Sequence, residues 1–187
     1  LGSASITPMK LATGYAMIAN GGYKVEPYLI ERIENAYGTV LYQAQPMTVC
    51  PECLAMYEAR KDSTDLMAYD TIIVGGSEVC AIVPFSEIQI AEQAISVETA
   101  FLTRELLRTA VWGGGNWRHQ TGWNGTGWRA ARAIKRQDMG GKTGTTNDSR
   151  DAWFSGFVGR TVATSWVGFD DFERKLGRAS KNENLGD

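Results

Sequence analysis

Three cysteines and one histidine are all the thiol and imidazole metal ligands this 187-residue chain has, and only one C-x-x-C pair occurs, with no second knuckle beside it. The core therefore has to stand on apolar packing, and at this length folding buries roughly 70% of the surface an unfolded chain exposes, enough without staples. A surplus of one charge is also absent. Nineteen Lys plus Arg against twenty-one Asp plus Glu give a net charge of -2, so no global field draws the chain to nucleic acid or anionic lipid. No apolar run approaches the roughly 18 residues of a membrane span; the longest patches, such as residues 81–85, are strand-sized. The start at Leu1 has no Met, charged region or apolar leader, and the chain is expected to be a piece of a longer protein. With 43% hydrophobic and 21% charged residues, a disordered or fibrous chain is excluded.

What is present is punctuated clearly. Thr7-Pro8 predicts a helix start, Met9, Leu11, Ala12, Tyr15, Ala16, Ile18 and Ala19 follow at helical spacing, and Asn20-Gly21-Gly22 supplies the stop. Residues 28–33 and 39–42 are β-prone runs separated by Asn35-Ala36-Tyr37-Gly38, which is hairpin chemistry. From about 43 to 93 no period is sustained, and a variable insertion or long embellished loop is expected there. Helical spacing returns over residues 97–112 and ends at Gly113-Gly114-Gly115.

Four of the six tryptophans and six glycines then fall between Trp112 and Trp128, in a loop expected to pack on the domain close to a cleft. After it, Arg129, Arg132, Lys135 and Arg136 predict the basic, solvated face of a short helix. Three strand candidates close the chain, beginning at Gly140, Ala152 and Thr161, with Asp148, Arg150 and Asp151 expected to form turns and ion pairs between the first two. An antiparallel meander covered by the upstream helices is an α+β architecture.

Two chemistries compete for Gly141-Lys142-Thr143-Gly144-Thr145. A phosphate-binding loop, G-x-x-x-x-G-K-[ST], needs Gly where Arg136 stands, and needs a helix to begin at the Lys, where β-branched residues and a strand follow. The alternative is the K-T-G strand of serine acyltransferases that react with penicillin. There the Lys142 ammonium assists proton traffic and attracts an anionic substrate, and the hydroxyls of Thr143 and Thr145 hold its carboxylate. Gly144 lets substrate approach the backbone, and the Thr145 N–H serves an oxyanion hole.

The wider pattern resembles the transpeptidase domain of class A penicillin-binding proteins, the bifunctional enzymes that build peptidoglycan. The stretches that carry it are Gly2-Ser3-Ala4-Ser5-Ile6-Thr7-Pro8, Asn124-Gly125-Thr126-Gly127-Trp128-Arg129-Ala130, Lys142-Thr143-Gly144-Thr145-Thr146-Asn147, Asp151-Ala152-Trp153-Phe154-Ser155-Gly156 and Trp166-Val167-Gly168-Phe169-Asp170-Asp171, in the family's order. The resemblance implies a partial penicillin-binding, β-lactamase-like fold over residues 1–187. Lys142 would be catalytic, with Thr143, Gly144 and Thr145 binding substrate. It also implies a nucleophilic Ser in S-x-x-K, and no S-x-x-K occurs in these residues. Thr7-Pro8-Met9-Lys10 has the spacing but a capping Thr, and Ser180-Lys181-Asn182 follows K-T-G instead of preceding it. The fragment is expected to be inert alone.

For the whole protein, the implied partners are stem peptides ending in D-Ala-D-Ala, lipid II through a glycosyltransferase domain outside this chain, and β-lactams. No nucleic acid and no cofactor are expected. The implied location is the periplasmic face of the bacterial inner membrane, held by an N-terminal helix outside these residues, and copies of the fragment are expected to associate through uncovered apolar surface. In that oxidising compartment Cys50, Cys53 and Cys80 are expected in a structural disulfide or as loop-stabilising thiols; the weaker alternative is zinc held by them and His119. A non-catalytic interaction module and a serine β-lactamase share parts of the pattern. Residues before Leu1 would separate the first from the synthase. The helix, hairpin and insertion between Thr7 and Val97 argue against the second.

Overall fold

The computed structural model describes residues 6–49, 72–74, 77–79, 89–115, 122–171, 173–180 and 183–184. Helix α1, Pro8–Ala19, begins where expected: Thr7 is extended and its hydroxyl accepts from the Lys10 N–H at 3.3 Å, with Pro8 in the first turn. It ends as Gly22 N–H reaches back to the Met17 carbonyl at 2.8 Å. Helix α2, Val97–Trp112, is capped by Ser96, whose hydroxyl accepts from Thr99 N–H at 3.2 Å. Helix α3, Trp128–Ile134, is shorter than its basic periodicity suggests. Lys135 adopts the left-handed conformation and ends it, and Arg136 turns aside to pair with Asp138 at 2.6 Å. Arg136 therefore leaves the expected basic face.

The chain divides into two compact units, Leu1–Gly22 with Ile95–Asp187, and Tyr23–Ala94. In the second unit, strands β1, Arg32–Glu34, and β2, Val40–Gln43, form an antiparallel hairpin with a bulge between Ile33 and Glu34. Asn35 builds its turn, because its Oδ1 accepts from the N–H groups of both Tyr37 and Thr39 at 2.9 Å. Most of residues 28–33, expected as a strand, lies outside β1. The aperiodic segment from about 43 to 93 falls within this unit and carries a second hairpin, β3, Ile72–Val74, with β4, Ser77–Val79.

The first unit holds the expected meander. Strands β5, Gly140–Thr145, β6, Asp151–Val158, and β7, Thr161–Gly168, pair antiparallel in the order β5-β6-β7, with α2 against β5 and α1 against β6 and β7. A further small hairpin joins β8, Arg178–Ser180, to β9, Glu183–Asn184. The fold is thus α+β. Its core is Val111 from α2, Ala131 from α3 and Met139 ahead of β5, flanked by Trp112, Ala130, Phe154 and Val158. Among the described residues no helix is long and apolar enough to cross a membrane.

The join between α2 and α3 depends on Gly125. A Cβ there would lie 2.5 Å from the Ala110 oxygen and from the backbone of Val111, and backbone cannot move aside as a side-chain end can. Gly125→Ala is expected to destabilise the protein by about 2 kcal/mol, the usual scale of overpacking. Gly14 is the control. It sits inside α1 with nothing within 4 Å of its Cβ position, so Gly14→Ala is expected to stabilise by about 0.5–1 kcal/mol. Thermal unfolding of both variants checks the two signs.

Candidate active site

Lys142 and Thr143 lie on β5, which is the edge of the three-stranded sheet among the described residues. Six successive pairs fix the register to β6, including Lys142 opposite Ser155, Thr143 opposite Phe154 and Gly144 opposite Trp153. Alternation then sorts the motif: Thr143 and Thr145 share one face, and Lys142 shares the other with Gly144. The exposed Lys142 ammonium bends over the edge, donating to the Thr143 carbonyl at 2.8 Å and reaching Thr143 Oγ1 at 3.5 Å. Since that carbonyl is met on the open edge, the ladder's alternation directs the Thr145 N–H to the same side. Gly144 sits above Trp153, and a Cβ there would come within 3.3 Å of the Trp153 Cβ.

The strand's entry is pinned from two directions. From α2, Arg108 Nε donates to the Gln137 carbonyl at 3.0 Å and Trp112 Nε1 to the Met139 carbonyl at 3.2 Å. From the β6–β7 turn, the Gly159 N–H donates to Asp138 Oδ2 at 2.9 Å. Asp138 is held below its ordinary pKa first by its hydrogen bonds from Arg136, so it is an acceptor fixed in its charged form.

Beyond β5 the chain passes through a 3-10 turn, Asn147–Ser149, closed by Thr146, whose hydroxyl accepts from the N–H groups of Arg150 at 3.1 Å and Asp151 at 3.0 Å. Residues 173–176 fold back onto this turn through Arg150 with Glu173 at 3.4 Å, Lys175 with Asp148 at 3.3 Å, and Leu176 N–H to the Ser149 carbonyl at 2.8 Å. Asp148 and Arg150 thus pair as expected. Asp151 does not: it opens β6, and its Oδ2 accepts both indole N–H groups, Trp153 at 3.0 Å and Trp166 at 3.1 Å. Those rings lie opposite each other on β6 and β7 with centroids 6.2 Å apart. The Trp-Asp-Trp clasp fixes the side chain beneath Gly144.

The tryptophan and glycine loop divides its roles. Trp112 packs on the core, whereas Trp123 and Trp128 are exposed, the latter beneath the Arg129 guanidinium at 5.6 Å. The loop does approach the motif strand, since Thr143 Oγ1 donates to Thr126 Oγ1 at 3.0 Å. Thr126, unassigned among the expected site residues, is 17 positions away from its partner. Cys50, Cys53, Cys80 and His119 lie outside the described residues.

Comparison with known proteins bears on this edge-strand arrangement. The family model for the penicillin binding protein transpeptidase domain matches residues 1–172. The chain belongs to the penicillin-binding protein transpeptidase family. It is 46% identical over its whole length to penicillin-binding protein 1A of Vibrio cholerae and 40% identical to that of Escherichia coli, of which it covers 20% and 23%. The crystal structure of penicillin-binding protein 1A from Haemophilus influenzae superposes with a TM-score of 0.70 at 42% identity, over 96% of this chain and 24% of that one. The chain thus spans about a fifth of the length of these relatives.

Within this transpeptidase-family sheet, the clasp has a titratable centre. Burial pushes the Asp151 carboxyl up, but hydrogen bonds from Trp166, Trp153 and Thr146 outweigh it and leave the pKa below its ordinary value. A carboxyl depressed on folding stabilises above its unfolded pKa, and that contribution is lost as pH falls through the folded value. Asp151→Asn is therefore expected to lower the unfolding midpoint at pH 7, with the gap to the unsubstituted protein closing as pH drops below about 4. A gap that stays constant to pH 2 would show that the carboxylate charge is not its source.

Proposed function

We propose that this chain is the C-terminal part of a serine D,D-transpeptidase domain and contributes the Lys-Thr-Gly wall of its cleft. The observation that carries the reading is Lys142 and Thr143 converging on the open edge of β5, with the hydroxyl-bearing Thr145 on the same face as Thr143. In the complete domain a Ser upstream of Leu1 attacks the penultimate D-Ala carbonyl of a stem peptide. Its Oγ forms an ester, the peptide C–N bond breaks, and the terminal D-Ala leaves with a proton. An amine of a neighbouring stem then displaces the Ser and completes the cross-link.

Lys142 supplies a fixed positive charge beside the transferred protons, Thr143 and Thr145 receive the terminal carboxylate, and the Thr145 N–H stabilises the oxyanion. Penicillins, which mimic the peptide, acylate the same Ser. The whole protein is a bifunctional synthase, with lipid II consumed by a linked glycosyltransferase and an N-terminal helix anchoring it on the periplasmic side of the inner membrane. Residues 43–93 are its variable insertion. The exposed Phe101, Leu102 and Leu106 of α2 are a surface through which isolated copies of the chain associate.

The 187-residue chain alone is expected to remain unlabelled by a fluorescent penicillin, whereas the full-length protein is labelled. Lys142→Ala in the full-length protein is expected to slow acylation by roughly 100-fold or more, the scale of removing a positioned proton-transfer group, with little change in unfolding midpoint. Labelling of the isolated chain, or a normal rate in the Lys142 variant, would overturn these assignments.

A further inference from the structure

Among the described residues, Thr126 reaches the motif from outside β5 through its 3.0 Å hydrogen bond with Thr143 Oγ1. Its mounting is rigid on both sides. Gly125 and Gly127 are buried against the last turn of α2, where Gly127 N–H donates to the Ala110 carbonyl at 3.2 Å and its Cβ position lies 3.2 Å from Val111 Cγ2. Two hydrogen bonds between Gly114 and Trp123, at 2.9 and 3.1 Å, close the loop behind it. Thr126 itself stays exposed, so rigid backbone holds a solvent-facing hydroxyl next to the strand.

We propose that Thr126 is a positioning residue for carboxylate recognition, acting through Thr143; the inference rests on the transpeptidase reading above. A threonine hydroxyl has one proton and two acceptor sites. In this structure Thr143 Oγ1 is the donor to Thr126 Oγ1. When an anionic carboxylate meets β5, the Thr143 proton turns to the carboxylate, and Thr126 rotates to donate into the Thr143 oxygen. The pair reverses polarity without moving a heavy atom, and the second donor keeps Thr143 satisfied and fixes its rotamer. Without Thr126 the Thr143 hydroxyl keeps only the long 3.5 Å contact from Lys142 Nζ, and part of the charge-assisted bond is lost to ordering it. The effect is confined to substrates that present a negative carboxylate.

The test compares the full-length protein with its Thr126→Val and Thr126→Ser variants. Each is acylated by a penicillin with a free carboxylate and by the same compound as its methyl ester. Thr126→Val is expected to reduce the acid-to-ester ratio of acylation rates about tenfold, the scale of one hydrogen bond to a charged group. Thr126→Ser, which keeps the hydroxyl, is expected to restore the ratio. Loss of both rates in parallel is a packing effect and overturns the proposal, as does an unchanged ratio. An unlabelled full-length parent overturns the transpeptidase reading itself; a labelled parent with an unmoved ratio overturns only the role of Thr126.

Discussion

The register between β5 and β6 is the constraint on which the candidate site depends. Side-chain period in a strand is two, so a slip of one residue would exchange the faces of Lys142 and Thr143 and carry the Thr143 hydroxyl away from the Thr126 loop. The glycines of the strand resist such a slip little, since Gly140, Gly141 and Gly144 offer no side chains to interlock. The resistance comes from both ends of the ladder. At one end Asp138 binds the Gly159 N–H of the β6–β7 turn. At the other, Thr146 caps the connection into β6 by accepting from Arg150 and Asp151. Between them, Phe154 and Phe157 fill the space above the glycines: Cβ atoms at Gly141 and Gly140 would lie 2.9 and 2.5 Å from their rings. The small residues of β5 and the large ones of β6 are one packing solution.

Once the register is fixed, two further elements give the strand its surroundings. Helix α2 anchors the approach to β5 through Arg108 and Trp112, each binding a backbone carbonyl of the connector. The same helix carries, at its C-terminal turn, the glycine-flanked loop that presents Thr126. A displacement of α2 would therefore shift Lys142 and Thr126 together, preserving their relation. On the opposite side Asp151 locks Trp153 and Trp166, so Gly144 rests on a surface that cannot tilt without breaking two hydrogen bonds to a charged acceptor.

The sequence was most legible where one residue imposes one conformation. Thr7-Pro8 began α1, Asn35 made its turn, and the glycines after Trp112 ended α2, because each signal acts within a few residues. The meander was legible for the same reason, its strands being long and its connections tight. Misreadings arose where a distant partner decided the outcome. Asp151 stands next to Arg150 and close to Asp148, and in sequence it belongs to their ion-pair group; in space its carboxylate is taken by indoles two and fifteen residues away. Arg136 extends the helical spacing of Arg129 and Arg132, but Asp138 two residues on captures it. Thr126 sat inside a recognised stretch without an assigned role, because the hydroxyl pairing that distinguishes it is a tertiary contact.

The Lys142 arrangement also sets an exposed cation on a glycine-rich edge strand. Its ammonium donates to the carbonyl of the adjacent residue, a bond to a neutral acceptor made within one strand. A carboxylate arriving at the edge competes with that neutral carbonyl, and an ionised acceptor makes a bond roughly twice as strong. The exchange needs only side-chain rotation, because the strand, its register and the Thr126 loop are already set. On the transpeptidase reading proposed above, the preference for an anionic peptide terminus rests on the difference between two acceptors for the same donor, with the backbone held constant.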